Sequence, residues 1–209
     1  MPCIPSHLCH LTQLQILDLA VNQISGSIPT CLNNIIALTH KWAPNSTITN
    51  SYRNFVIPNG FMAGRYDDRA IWIWKGRERE YQSILGLVKS IDFSSNKLVG
   101  TIPREILKLD GLISLNLSRN LLTGRIPLEI GFLQALDSLD LSKNQLCGEI
   151  PSNISLINFL NFLDLSNSNL SRKIPVGPQL STFKAIAYEK NPNLCGFPLP
   201  KKCFGEEIT

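Results

Sequence analysis

The sequence predicts an α/β solenoid, a stack of 24-residue coils interrupted once by an insert. Three observations carry that prediction. A motif recurs: residues 91–103 read IDFSSNKLVGTIP, 115–127 LNLSRNLLTGRIP and 139–151 LDLSKNQLCGEIP, with Asn96, Asn120 and Asn144 at intervals of 24. Further copies stand at 163–175 (LDLSNSNLSRKIP) and 17–29 (LDLAVNQISGSIP). Apolar residues lead into the copies in steps of three, as in Leu109, Leu112, Leu115 and Leu133, Leu136, Leu139. Between Asn22 and Asn96, however, lie 74 positions where one period would give 24.

Within one copy each residue type has a physical task. Leu139 and Leu141 alternate with Ser138, Asp140 and Ser142, the period of a short strand with one buried face. Asn144 ends the strand, and its amide can satisfy backbone groups where the chain turns inward. Leu146 and Ile150 return to the core. Gly148 supplies backbone freedom, and Pro151 fixes φ and stops strand pairing. One coil cannot bury its apolar face alone, but stacked coils share a core. Each fully buried apolar side chain contributes roughly 1.5–3 kcal/mol, so stacking decides the fold. An amphipathic helical bundle would need a 3.6-residue period throughout, and the recurring Gly and Pro argue against it.

The pattern LxxLxxLxLxxNxLxGxIP, over roughly residues 8–38 and 85–175, resembles the plant-specific class of leucine-rich repeat. That resemblance implies a right-handed solenoid with a parallel concave β-sheet and a second, lateral sheet. The last copy departs from the pattern, with Ser168 at the asparagine position and Arg172 at the glycine position. A less regular terminal coil is expected there. The expected organisation is coils over 1–39, a non-repeat island over 40–86, coils over 87–175 and a C-terminal cap with the start of an acidic segment over 176–209.

The insert differs in chemistry from the coils. It holds Trp42, Trp72 and Trp74, which are all three tryptophans, and Tyr52, Tyr66 and Tyr81 of the four tyrosines. Residues 40–86 contain seven Lys/Arg and four Asp/Glu, most of the chain's net charge of +4. Two readings stand for the aromatics. Ile71 and Ile73 against Trp72 and Trp74 fit a strand buried on both sides, whereas aromatic and Arg side chains are also what binding hot spots use. Long inserts on rigid scaffolds tend to carry function. Tyr66, eight residues, then Lys75-Gly76 is similar to the signature of the island in plant leucine-rich-repeat receptor-like proteins, and EREYQSILGLVKSIDFSSN resembles their return to the solenoid. The resemblance implies an island that helps hold ligand, with Tyr66, Arg69, Trp72, Trp74 and Lys75 as candidate contacts. For Tyr66 and Lys75, holding the island to the solenoid is the other role. The repeats after the island are implied to meet a co-receptor kinase of the somatic embryogenesis receptor kinase type, with Ser118, Arg119, Ser142, Lys143 and Ser166 as candidate contacts.

At the C-terminal side, NPNLCGFPLPKKC resembles the cap of the same family, which leads through an acidic stretch into one membrane helix. Cys195 and Cys203 enclose a short loop, and Cys9 and Cys31 lie in successive coils and can pair. Cys3 and Cys147 have no evident partner. Six cysteines suggest an oxidising compartment, yet MPCIPSHLCH is no signal peptide and no run reaches the roughly 18 apolar residues of a membrane span. A fragment of a secreted, membrane-anchored chain reconciles these expectations.

A composition of 44% hydrophobic and 17% charged residues excludes a disordered chain, and a net charge of +4 is too mild to argue for nucleic acid. His7, His10 and His40 lie near Cys3, Cys9 and Cys31, but Cys3-x5-Cys9-His10 fits no usual zinc spacing, and no metal or other cofactor is expected. Lys75-Gly76 lacks the glycine and Ser/Thr of a phosphate loop. Asp18, Asp92, Asp140 and Asp164, with Asn116 completing the series, recur at one strand position that should be exposed. The repeat accounts for them without general-acid chemistry. No catalytic set is found. The sequons at Asn45, Asn116, Asn153 and Asn169 are glycosylation candidates, and a glycan on Asn116 would close part of the concave face to a protein partner.

The expected function is non-catalytic. The chain reads as part of the ectodomain of a plant cell-surface receptor-like protein, in defence, on the outer face of the plasma membrane. Its expected partners are a peptide, protein or glycan ligand and co-receptor and adaptor receptor-like kinases. The alternatives are a secreted inhibitor of cell-wall hydrolases, resembling polygalacturonase inhibitors, and a truncated, non-functional gene product.

Overall fold

The computed structural model describes residues 2–39 and 88–204 and, between them, the backbone of six strands from Thr49 to Tyr81. The chain divides into two compact units, Met1–Lys41 with Lys89–Thr209, and Trp42–Val88.

In the first unit each coil contributes one strand to each of two parallel sheets. Strands β1 (Ile16–Asp18), β9 (Ser90–Asp92), β11 (Ser114–Asn116), β13 (Ser138–Asp140) and β15 (Phe162–Asp164) form one sheet in coil order. Strands β2 (Ser25–Gly26), β10 (Lys97–Gly100), β12 (Leu121–Gly124), β14 (Gln145–Gly148), β16 (Asn169–Lys173) and β17 (Asn193–Cys195) form the second, lateral sheet. Short 3-10 helices such as Arg104–Lys108 and Leu128–Phe132 start directly after the Ile-Pro pairs, where the proline sets an extended backbone (Pro103 φ −71°, ψ 141°) and lacks an N–H. The leucines and isoleucines of the repeat lie between these elements as one core. Leu109, Leu112 and Leu122 are wholly buried, and so are their counterparts Leu133 and Leu136 one coil on.

The register shows how the insert is accommodated. β1 pairs directly with β9, Ile16 opposite Ser90 and Asp18 opposite Asp92, although 71 residues separate the two strands in sequence. The core sheet therefore runs unbroken past the insertion point. The second unit contains antiparallel pairs only. β3 (Thr49–Tyr52) pairs with β6 (Gly64–Asp67), and β4 (Val56–Ile57) with β5 (Gly60–Phe61) between them. β7 (Ala70–Trp74) pairs with β8 (Arg77–Tyr81).

Asparagine side chains tie each coil to the one before it. Asn120 Nδ2 donates to Leu117 O (3.1 Å) and Ser118 O (3.2 Å) in its own coil and to Phe93 O (2.9 Å) in the preceding one, while its Oδ1 accepts Leu98 N–H (3.0 Å). Asn144 makes the same four bonds one coil on, and Asn96 reaches Leu19 O (2.8 Å) across 77 residues of sequence. These groups are buried, so each bond left unmade would carry a desolvation cost.

The coil with Ser168 and Arg172 is more regular than the sequence suggests. Arg172 adopts φ 73°, close to the 78–83° of Gly26, Gly100, Gly124 and Gly148, and β16 pairs on both sides. Stacking imposes the left-handed conformation at a cost of roughly 1–2 kcal/mol for a residue with a Cβ. Ser168 Oγ has no hydrogen-bond partner, but the cap restores the next rung: Asn191 Oδ1 accepts Leu170 N–H (2.9 Å) and its Nδ2 donates to Leu165 O and Tyr188 O (both 2.9 Å). Tyr188 fills the cap core with its hydroxyl unpartnered, and burial pushes its phenol up to about 12. A disulfide joins Cys195 and Cys203 in the cap and another joins Cys9 and Cys31 in adjacent coils, while Cys3 and Cys147 are free.

Two substitutions check this account by chemical denaturation. Asn120→Ala leaves the buried Leu98 N–H without a partner and takes one of two donors from Phe93 O, Leu117 O and Ser118 O, and should lower stability by about 2 kcal/mol or more. Arg172→Gly relieves the left-handed strain and should raise it by about 1 kcal/mol.

Candidate recognition surface

The concave strands are three residues long, so each coil presents the same few positions in columns, with neighbouring strands about 4.8 Å apart. One column runs Asp18, Asp92, Asn116, Asp140, Asp164, in register across the sheet. Only Asp18 is exposed; Asn116, Asp140 and Asp164 are half-buried and Asp92 is buried. The expected row of exposed carboxylates is therefore corrected: flanking residues crowd the column, and its members are bonded within the chain. Asp92 Oδ1 accepts Ser94 N–H (2.8 Å) and its Oδ2 accepts from Asn116 Nδ2 (3.0 Å). Asp140 Oδ1 accepts Ser142 N–H (3.0 Å) and Oγ–H (2.7 Å). Burial nevertheless pushes the carboxyls of both Asp92 and Asp140 above the ordinary range, outweighing these hydrogen bonds.

The serine column lies beside it. Ser118, Ser142 and Ser166, expected at a co-receptor contact, are buried. The Ser118 hydroxyl donates to Asn116 Oδ1 (2.7 Å), the Ser142 hydroxyl to Asp140 Oδ1, and Ser166 Oγ accepts from Asn167 Nδ2 (2.8 Å). These hydroxyls brace the column and are not presented outward. Arg119 and Lys143, one residue further along, are exposed at φ 55° and 53°, where the chain turns from strand to core. Their backbone N–H groups bond to Ser142 O and Ser166 O, so the turn is fixed while the side chains are free to reach a partner.

Of the sequons, Asn169 is exposed on β16. Asn153 is half-buried and donates to Leu128 O (3.2 Å). Asn116 is half-buried, with Nδ2 on Asp92 and Oδ1 on Ser118. Asn45 lies outside the described residues, as do Arg69 and Lys75.

In the second unit, Tyr66 stands in β6 opposite Asn50. Trp72 and Trp74 stand in β7 opposite Arg79 and Arg77. Residues directly opposite share a face of a two-stranded ribbon, so positions 72, 74, 77 and 79 fall on one face and 71, 73, 78 and 80 on the other. Sequence reading selected the two tryptophans and missed Arg77 and Arg79. The two-residue interval from Trp74 to Arg77, a hairpin signal, would have paired them.

Residues 13–35, 87–109, 111–133 and 135–157 match the Leucine Rich Repeat family. The chain is 55% identical over 197 residues to receptor-like protein 9DC3 of Solanum pimpinellifolium, covering 94% of this chain and 22% of that one. It is 52% identical over 198 residues to receptor-like protein 39 of Arabidopsis thaliana (92% and 22%). It is 46% identical over 129 residues to receptor-like protein EIX2 of Solanum lycopersicum (50% and 12%). Among solved structures, the BIR2 ectodomain from Arabidopsis thaliana superposes with a TM-score of 0.59 at 26% identity, covering 90% of this chain and 73% of that one. The Arabidopsis receptor kinase HAESA, in complex with the peptide hormone IDA and the co-receptor SERK1, superposes with a TM-score of 0.52 at 26% identity (93% and 28%). Fold and repeats thus define a plant-type leucine-rich-repeat solenoid. More narrowly, the chain belongs to the plant leucine-rich-repeat receptor-like proteins, and it spans less than a quarter of the length of the relatives it matches.

The raised carboxyls give a pH prediction with a fixed sign. A carboxyl whose folded pKa is above its unfolded value binds protons more readily when folded, so its contribution to stability falls as pH rises through the folded pKa. Asp140→Asn keeps the Oδ1 that accepts Ser142 N–H and Oγ–H, as Asn116 does for Ser118, and removes one charge from the column. Thermal unfolding should show the variant more stable than wild type at pH 7, with the difference shrinking as pH falls into the ordinary carboxylate range near ~4.

Proposed function

We propose that this chain is a ligand-recognition segment of the extracellular part of a plant cell-surface receptor-like protein, acting in defence without catalysis. The observation that carries the reading is the in-register pairing of β1 with β9. A unit rich in Trp, Tyr and Arg is looped out of a rigid sheet that does not register its presence, the arrangement of a recognition insert on a scaffold. Residues Trp42–Val88 form that island. Its ligand is an extracellular peptide, protein or glycan, met at the ribbon face of Trp72, Trp74, Arg77 and Arg79, with Tyr66, Arg69 and Lys75 contacting the ligand or anchoring the island.

Arg119 and Lys143 are the exposed cations that the later repeats offer to a receptor kinase. Two long cationic side chains on fixed turns suit an acidic patch on a partner. The names of the relatives and the co-receptor in the HAESA complex support this kind of partner. The site of action is the outer face of the plasma membrane. Among the described residues no helix is long and apolar enough to cross a membrane, so anchoring falls to other parts of the receptor.

A pull-down from apoplastic fluid of challenged tissue, with an ectodomain extended by further N-terminal repeats, tests both parts. Deleting residues 42–88 should reduce ligand capture at least about tenfold, in line with loss of the main hot spots. Arg119→Glu/Lys143→Glu should keep ligand capture and lose the kinase. Equal capture with and without the island overturns the reading.

A further inference from the structure

Three coils keep a rule that the two after them break. The first and fifth residues after each Ile-Pro pair lie on the outer side of the short 3-10 helices. They are Ser6 and His10, Thr30 and Asn34, and Arg104 and Lys108, all polar and exposed. In the next coil they are Leu128 and Phe132, 62% and 60% exposed, and in the coil after it the fifth is Leu156, 52% exposed.

This apolar patch surrounds the sequon Asn153-Ile154-Ser155. Asn153 Nδ2 donates to Leu128 O (3.2 Å) of the preceding coil in a bond open to solvent. Asn153 also packs against Gly131, beside Phe132, so closely that a Cβ on the glycine would come within 2.5 Å of Asn153 O. Side chains three residues apart eclipse on a 3-10 helix, so Asn153 and Leu156, both in Ser152–Leu156, share a face. Phe132 and Leu156 hold equivalent positions in neighbouring coils, which Gln134 Nε2 ties together by donating to Gly131 O (2.8 Å) and Leu156 O (3.2 Å). The other described sequons have different surroundings: Asn116 is on the concave sheet with its Nδ2 on Asp92, and Asn169 is on the lateral sheet opposite Cys147.

From this juxtaposition we propose that Asn153 carries an N-linked glycan whose first N-acetylglucosamine lies over Leu128, Phe132 and Leu156, so that the sugar completes the packing of these two coils. The donor is an oligosaccharide joined to a lipid pyrophosphate. A bond forms between Asn153 Nδ2 and the anomeric carbon as the bond from that carbon to the pyrophosphate oxygen breaks. The lipid pyrophosphate leaves, and Nδ2 loses one proton and keeps the other for Leu128 O. Transfer acts on the extended chain before folding, so the half-burial of Asn153 does not obstruct it. A pyranose with equatorial hydroxyls turns its axial C–H groups to one side, and these suit the negative face of an aromatic ring. The acetyl methyl adds apolar surface to be buried. A protein partner is the competing occupant. Three side chains on two coils offer far less than the roughly 800 Å² per partner of a specific interface, and a glycan on Asn153 would stand in its way. The inference rests on passage through the secretory pathway, in which the two disulfides also form, and not on the island binding a ligand.

The test uses the 209-residue chain, secreted by cultured plant cells behind a cleavable leader with its glycans held in the high-mannose form. Peptide mapping should find Asn153 occupied in most molecules. Endoglycosidase H leaves one sugar on each site and should not change the melting temperature. Asn153→Gln should lower it, but that variant also loses the bond to Leu128 O, so the decisive measurement is a cycle with Phe132→Ser. Asn153→Gln should cost about 2–4 °C more when Phe132 is present than in the Phe132→Ser background, the scale of one contact in a domain of this size. Asn169→Gln should show no such coupling to Phe132→Ser. Near-UV circular dichroism confirms that each variant is folded. An unoccupied Asn153 overturns the proposal. So do equal losses in the two backgrounds, or a loss on trimming as large as that of Asn153→Gln, since neither leaves a role for the first sugar on Phe132.

Discussion

A buried asparagine amide offers three or four hydrogen bonds from a side chain short enough to fit between two coils. In this chain that amide is where the stack is decided. Asn96, Asn120, Asn144 and Asn191 each satisfy carbonyls of their own turn and of the coil before, and each accepts the amide that opens the preceding lateral strand. Leucines drive the coils together, but their burial is non-directional. The amides are directional, and they fix the offset between coils so that the concave columns and the lateral strands both fall into register.

That offset makes the insertion tolerable. Because Asn96 bonds to Leu19 and Ile24 as though Asn22 stood one period earlier, the coils on either side of the insert are neighbours. The loop-closure cost of joining distant segments grows only with the logarithm of length, so a rigid ladder accommodates it readily. Diversity can then be placed in the insert while the scaffold keeps one geometry.

Rigidity has a chemical consequence on the concave face. Equal coils bring identical positions within one strand spacing, so a favourable residue in one coil becomes a crowded column in five. The carboxylates of Asp92 and Asp140 accept hydrogen bonds and are still pushed toward the neutral form by burial. Asn116 interrupts the column with an amide that donates to Asp92, relieving the repulsion that an uninterrupted acidic row would suffer. The serines beside them belong to the same network, and the turn residues Arg119 and Lys143 that follow them are exposed.

Periodicity alone determined the coil length, the core leucines and the role of the asparagines, because each is a local requirement repeated at a fixed interval. Cys9 with Cys31 and Cys195 with Cys203 were legible for the same reason: one period or a short loop sets their separation. Tertiary structure decided what depends on neighbours in other coils. It made Ser118, Ser142 and Ser166 internal braces, buried Asp92, and held Arg172 in a conformation its own chemistry disfavours. It also recruited Asn191, which sits in a degenerate copy of the motif with one residue too many before Leu194, as the last rung of the ladder. Exposure and strain are set by what stacks against a residue, and a single coil's sequence does not contain its neighbours.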